Sequence, residues 1–105
     1  MITVTFFRFA NVFNACEVSG HSGYCEQGFD IVCAAVSSAV YMAANTITDI
    51  QHINAEVTES DGFFSLKLSP SDAKKASDII LGLKLHLTAL SEQYKKYIKV
   101  KISEV

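Results

Sequence analysis

From Ile31 to Thr48 the chain carries no charged side chain, although charged residues make up 19% of its 105 positions. Ala34, Ala35, Ala39, Ala43 and Ala44 give this run a helical composition and let a neighbouring element approach closely. In length it approaches a membrane span, but Ser37, Ser38, Asn45, Thr46 and Thr48 make it too polar for hydrocarbon. It reads as a buried helix, from about Asp30 to Asn45 or Thr48. A helix buried in this way needs other elements to cover it.

Strand-like segments supply that cover. Met1–Phe9 alternates Ile2, Val4 and Phe6 with Thr3, Thr5 and Phe7, a β-branched and aromatic pattern with a period of two. Ala10-Asn11 reads as a turn, and Val12–Gly20 as a second strand that completes a hairpin. After the helix, Ile53, Ala55 and Val57 alternate with polar residues in His52–Thr58. Ser60-Asp61-Gly62 turns the chain, and Phe64, Leu66 and Leu68 form one face of the next strand. Ser69 is placed to cap a second helix, with Pro70 at its first position and Asp72 completing the exchange. The stripe Ala73, Ala76, Ile80, Leu83, Leu87, Leu90 and Tyr94 then recurs at helical core spacing. Tyr97–Ile102 closes the series as a strand with Ile98, Val100 and Ile102 facing in.

The order ββαββαβ predicts an α+β fold in which two helices pack on one face of a mostly antiparallel sheet. Residues 1–105 read as a single domain. Nine Lys and Arg against eleven Asp and Glu give a net charge of −2, which supplies no basic surface for direct nucleic-acid binding. Three cysteines are an odd number, and no basic, apolar leader precedes the first strand, so a cytoplasmic location is expected and no membrane partner.

The chemistry concentrates between Gly20 and Ser38. A histidine leaves the second strand at His21, glycines at Gly23 and Gly28 let the loop double back, and Asp30 opens the helix. Cys33 then falls in the first helical turn, where backbone N–H groups and the helix dipole favour a thiolate. A Cys–His pair in that setting is a usable nucleophile. Its oxyanion donors would be the Cys33 N–H and a neighbouring N–H in the loop or first turn. Ser37 lies four residues on, on the same face. Tyr24 and Phe29 either line a groove for an apolar peptide or pack the loop onto the domain.

These residues also admit plainer readings. Cys33 can be a buried structural thiol, Asp30 a helix N-cap, and Ser37 a hydroxyl bonded to the carbonyl one turn back. Cys16, His21, Cys25 and Cys33 have zinc-ligand chemistry but lack the paired Cys spacing of a zinc knuckle. Cys25 and Cys33 could form a redox pair. His52 and His86 are weaker candidates for a base than His21.

The run Gly-His-Ser-Gly-Tyr at 20–24, continued by Gly28, Asp30-Ile31-Val32-Cys33-Ala34-Ala35-Val36-Ser37-Ser38, resembles the bacterial ribosomal-processing cysteine proteases, the Prp family. The resemblance implies that His21 and Cys33 are the catalytic pair and that Gly20, Asp30 and Ser37 support them. No cofactor or metal is implied. It further implies a peptide substrate, the N-terminal extension of the twenty-seventh protein of the large ribosomal subunit, cut after an aromatic residue, and it implies a homodimer. Ser22 stands where the family more often has alanine, and Cys25 is an additional thiol. A non-catalytic ribosome-associated module that binds a peptide in the same groove, and a small zinc-binding domain, are the alternatives.

Overall fold

The computed structural model describes residues 1–20 and 29–105, including every side chain among them except those of Phe29 and Asp30. Strand β1 (Ile2–Phe9) and strand β2 (Val12–Ser19) form the first hairpin. Its two-residue turn holds both central residues at positive φ, Ala10 at 50° and Asn11 at 66°, which suits the right-handed twist of paired strands. Helix α1 (Phe29–Asn45) follows and ends in a π-helical turn, Thr46–Ile50. Strands β3 (Glu56–Ser60) and β4 (Phe63–Lys67) make the second hairpin, helices α2 (Pro70–Lys75) and α3 (Ser77–Gln93) come next, and strand β5 (Ile98–Glu104) is the last element.

The sheet order is β3-β4-β2-β1-β5. Three of the neighbouring pairs are antiparallel, while β5 lies parallel to β1 with Ile2 opposite Ile98 and Val4 opposite Val100. The fold is therefore α+β with a mixed sheet. Its inner face carries Ile2, Val4 and Phe6 at 0% exposure, with Cys16, Val18, Phe64 and Leu66 beside them. Each such fully buried aliphatic or aromatic side chain contributes about 1.5–3 kcal/mol.

Helix α1 meets this face through Val32, Val36, Val40, Ala43 and Ile47, all at 3% exposure or less. The segment Ile31–Ile50 is long and apolar enough to cross a membrane by length and composition, but its buried stripe belongs to the core of this sheet. Its polar residues are accommodated locally. Thr46 Oγ1 donates to the Met42 carbonyl at 2.7 Å and Thr48 Oγ1 to the Ala44 carbonyl at 3.1 Å. These hydroxyls share the carbonyls of the preceding turn, and there the ladder widens, with Gln51 N–H reaching the Thr46 carbonyl at 2.8 Å.

Four details depart from the pattern read in the sequence. The third strand begins at Glu56 because His52 adopts a left-handed φ of 55° and Ile53 N–H bonds back to the Ile47 carbonyl, so residues 52–55 close the helix end. Val57 is 43% exposed, since β3 is an edge strand beyond the cover of the helices. The second helix starts at the expected cap, where Ser69 Oγ accepts from Asp72 N–H at 3.2 Å and Pro70 takes the first position. It then breaks at Ala76, φ −98° and ψ 10°, where Ala73 and Ala76 are both fully buried and α2 lies against β2. Finally, β5 runs on to Glu104, and Ile102 at 45% exposure is not an inward residue.

Candidate active site

Strand β2 delivers the chain to Gly20, which has a φ of 85°. Its N–H donates to the Gly62 carbonyl in the β3–β4 turn at 3.2 Å, and a Cβ at this position would run into the Met1 carbonyl oxygen. Position 20 is thus closed to any side chain, both by conformation and by space. This gives the glycine at the head of the motif a physical reason: it brings the first strand, the second hairpin and the end of β2 together at one corner.

Cys33 is the fifth residue of α1 and is 7% exposed, at the edge of the core cluster. With the helix beginning at Phe29, the N–H groups lacking a partner within the helix are those of residues 29–32, and the Cys33 N–H enters the regular ladder. This corrects the expected oxyanion donors: the N–H of Cys33 itself is spent on the helix. The side chain still acts at the helix start, because Cα–Cβ bonds tilt towards the N-terminus and carry the sulfur back over the first turn.

Ser37 follows one turn on, half-buried. Beyond it stands Tyr41, which continues the four-residue spacing. Val18, Val36, Ser37, Val40, Tyr41 and Phe64 surround a small apolar cavity at this point. A larger open cleft of about 530 Å³, lined by Asn54, Glu56, Lys67, Ser69 and Asp72 among others, sits at the other end of the β3–β4 hairpin and holds none of the described motif residues.

The expectations for His21, Gly23, Tyr24 and Gly28 lie outside the described residues, as do those for the side chains of Asp30 and Phe29. Of the proposed group, Gly20, Cys33 and Ser37 are among the described residues: Gly20 follows β2 directly, and Cys33 and Ser37 lie one turn apart on α1, where Ser37 lines a cavity with Val18 of β2. The other two histidines are placed elsewhere. His52 lies beyond the far end of α1, and seventeen residues of helical rise between Cys33 and Ile50 amount to roughly 25 Å. His86 is exposed on α3.

Cys16 is a different kind of thiol. It faces the core from β2 at 2% exposure, and burial, with a smaller contribution from the Glu17 charge, pushes its pKa up to about 12. A thiol held protonated in this way is a packing group, since nucleophiles and metal ligands are thiolates. Motif reading did not pick out Tyr41, Glu59 or Phe64. The repeat Cys33, Ser37, Tyr41 would have found the first; nothing local links the other two to the site.

Comparison with known proteins places these features in a class. Residues 1–99 match the sequence model of a family of cysteine proteases, described as Cysteine protease Prp. The ribosomal processing cysteine protease Prp of Bacillus subtilis (strain 168) is 29% identical over 90 residues, 80% of each chain. The protein SMU.848 of Streptococcus mutans superposes with a TM-score of 0.86 at 30% identity, covering 100% of this chain and 96% of that one. The essential ribosomal processing protease Prp of S. aureus, in complex with a substrate peptide, shares the fold with a TM-score of 0.89 at 22% identity, over 98% of this chain and 100% of that one. The chain belongs to the Prp family of cysteine proteases.

Proposed function

We propose that this protein is an endopeptidase that removes the N-terminal extension of a large-subunit ribosomal protein, the twenty-seventh in bacterial naming, using Cys33 as nucleophile and His21 as its acid-base partner. Membership of a cysteine-protease family, with Cys33 at the start of the helix that follows Gly20, is the observation that carries this reading. The relative from B. subtilis is named for ribosomal processing, and S. aureus Prp has been seen with a substrate peptide and with a covalently linked product peptide.

In the proposed reaction the Cys33 thiolate attacks the scissile carbonyl, and the imidazolium of His21 protonates the leaving amine. A water that His21 deprotonates then attacks the acyl-thioester and expels the thiolate, which restores the starting thiolate and imidazolium and releases the acid product. Unpaired N–H groups at the first turn of α1 are the natural donors to the oxyanion. Cys33 is 7% exposed, so the peptide has to reach it at the margin of the core. Gly20 fixes the approach of the loop, and Asp30 and Ser37 hold the pair from the helix. Gly23, Tyr24, Gly28 and Phe29 are assigned to the segment that closes over the peptide.

The reading extends to a cytoplasmic homodimer. Exposed apolar side chains on the helices, Ile31, Met42, Leu81 and Leu85, support association, as does the small size of the chain. The decisive experiment incubates the protein and its Cys33→Ala variant with the ribosomal protein precursor and reads product masses. A single cut that disappears in the variant, with an unchanged melting temperature, is expected. Undiminished turnover by Cys33→Ala would overturn the assignment, and binding without cleavage by the unaltered protein would make it a peptide-binding module.

A further inference from the structure

Among its described lining residues, the apolar cavity beyond Ser37 has one at the surface. Val18, Val36, Val40 and Phe64 line it from β2, α1 and β4 at 5% exposure or less, so those sides are fixed by the core. Of the described lining side chains Tyr41 alone is exposed, at 39%. Its ring stands edge-on to Phe64, with centroids 6.2 Å apart and planes at 82°, and its hydroxyl donates to Glu59 Oε1 at 2.5 Å. Glu59 belongs to the edge strand β3 and is itself exposed. In this arrangement the free volume is about 10 Å³, the least that a single water needs. A surface side chain tied down at its tip covers part of the mouth of this space.

We propose that this is a specificity pocket for an apolar side chain of the bound peptide, with Tyr41 as its gate and the Tyr41–Glu59 hydrogen bond as the latch. The proposal rests on the reading of Cys33 as nucleophile, and it names what selects the substrate there. Position argues for a substrate residue: Cys33, Ser37 and Tyr41 follow one another at four-residue intervals, so the gate lies about 12 Å along the helix from the sulfur. An extended peptide covers that distance in three or four residues. Chemistry argues for an apolar one. Four of the described walls are hydrocarbon, Ser37 adds a hydroxyl and none is charged, so a charged occupant would lose its hydration without finding a counter-charge among them. Tyr41 is then a specificity-determining residue and Glu59 a positioning residue acting through it.

Binding to the Cys33→Ala protein tests the pocket without turnover. The probes are a synthetic peptide spanning the precursor's cleavage junction and versions in which each apolar side chain is trimmed to alanine in turn. At one position trimming is expected to weaken binding tenfold or more, the usual scale for an apolar contact of this size. In Tyr41→Ala, checked for an unchanged melting temperature, that penalty should shrink to within about twofold. Tyr41→Phe and Glu59→Ala should each tighten binding of the parent peptide several-fold and do so non-additively when combined, with Glu59→Gln nearer the unaltered protein. In the active protein the same changes should appear in KM with kcat preserved. No position-specific penalty, an undiminished penalty in Tyr41→Ala, or no binding of the parent peptide would overturn the pocket. Cleavage without such a penalty sinks the pocket and leaves the nucleophile; position-specific binding without cleavage by the unaltered protein does the reverse.

Discussion

Inside the sheet the Cys16 thiol is held protonated to a pKa of about 12, against an ordinary 9.0, chiefly by burial and then by the charge of Glu17. The unfolded chain gives up this proton at about 9 and the folded chain keeps it, so folding becomes less favourable as pH rises between those values. Stability contributed by this group is intact below pH 9 and falls above it by up to about 1.4 kcal/mol per pH unit until about pH 12. Urea midpoints measured from pH 8 to 11 should show this decline, and Cys16→Ala should remove it at a cost of about 1 kcal/mol at neutral pH. An identical alkaline slope in the variant would contradict the account. Gly20 is constrained in another way, through a positive φ and the Met1 carbonyl rather than through titration.

Among the elements, the first hairpin carries an avoidable strain. Ala10 holds φ at 50°, a conformation in which a Cβ crowds the backbone, while the following Asn11 tolerates its own φ of 66°. Ala10→Gly is expected to raise stability by about 1 kcal/mol, read as a shift in denaturation midpoint with an unchanged slope. A lower midpoint would mean that the turn is held by something other than backbone conformation. The same hairpin shows what was legible in the sequence. Alternation of Ile2, Val4 and Phe6, the Ser69-Pro70-Asp72 cap and the stripe Ile80, Leu83, Leu87 are local signals, and each element formed where its signal stood. The break at Ala76 has no Pro or Gly to announce it, and it follows from two alanines packed tightly against a strand distant in sequence. In β3 the alternation predicts a strand, and one forms at Glu56–Ser60, but all five of its residues are exposed, because an edge position is decided by neighbours that the segment itself does not encode. The candidate site divides along the same line: Gly20, Cys33 and Ser37 stand in one short run, whereas Glu59 and Phe64 reach Tyr41 only through the folded sheet.

At the scale of the whole molecule, the sheet depends on a pairing between its first and last strands. Ile2 lies opposite Ile98, Val105 N–H bonds to the Arg8 carbonyl at 2.9 Å, and the Arg8 guanidinium pairs with Glu104. Deleting residues 98–105 strips one edge of β1 and removes the buried Ile98. The loss should exceed about 3 kcal/mol, counting the side chain and the ladder bonds together. Far-UV circular dichroism should show a chain without native signal, and a soluble, cooperatively melting truncated protein would refute this. The parallel β1–β5 pair also sets an order of events during synthesis. Among the described elements β1 is made first and its neighbour β5 last, a long-range closure that slows folding. Until β5 is made, β1 has only one paired edge and α3 lacks part of the sheet it packs on, so the cooperative fold, and with it the setting of α1 and Cys33, is complete only after β5 joins.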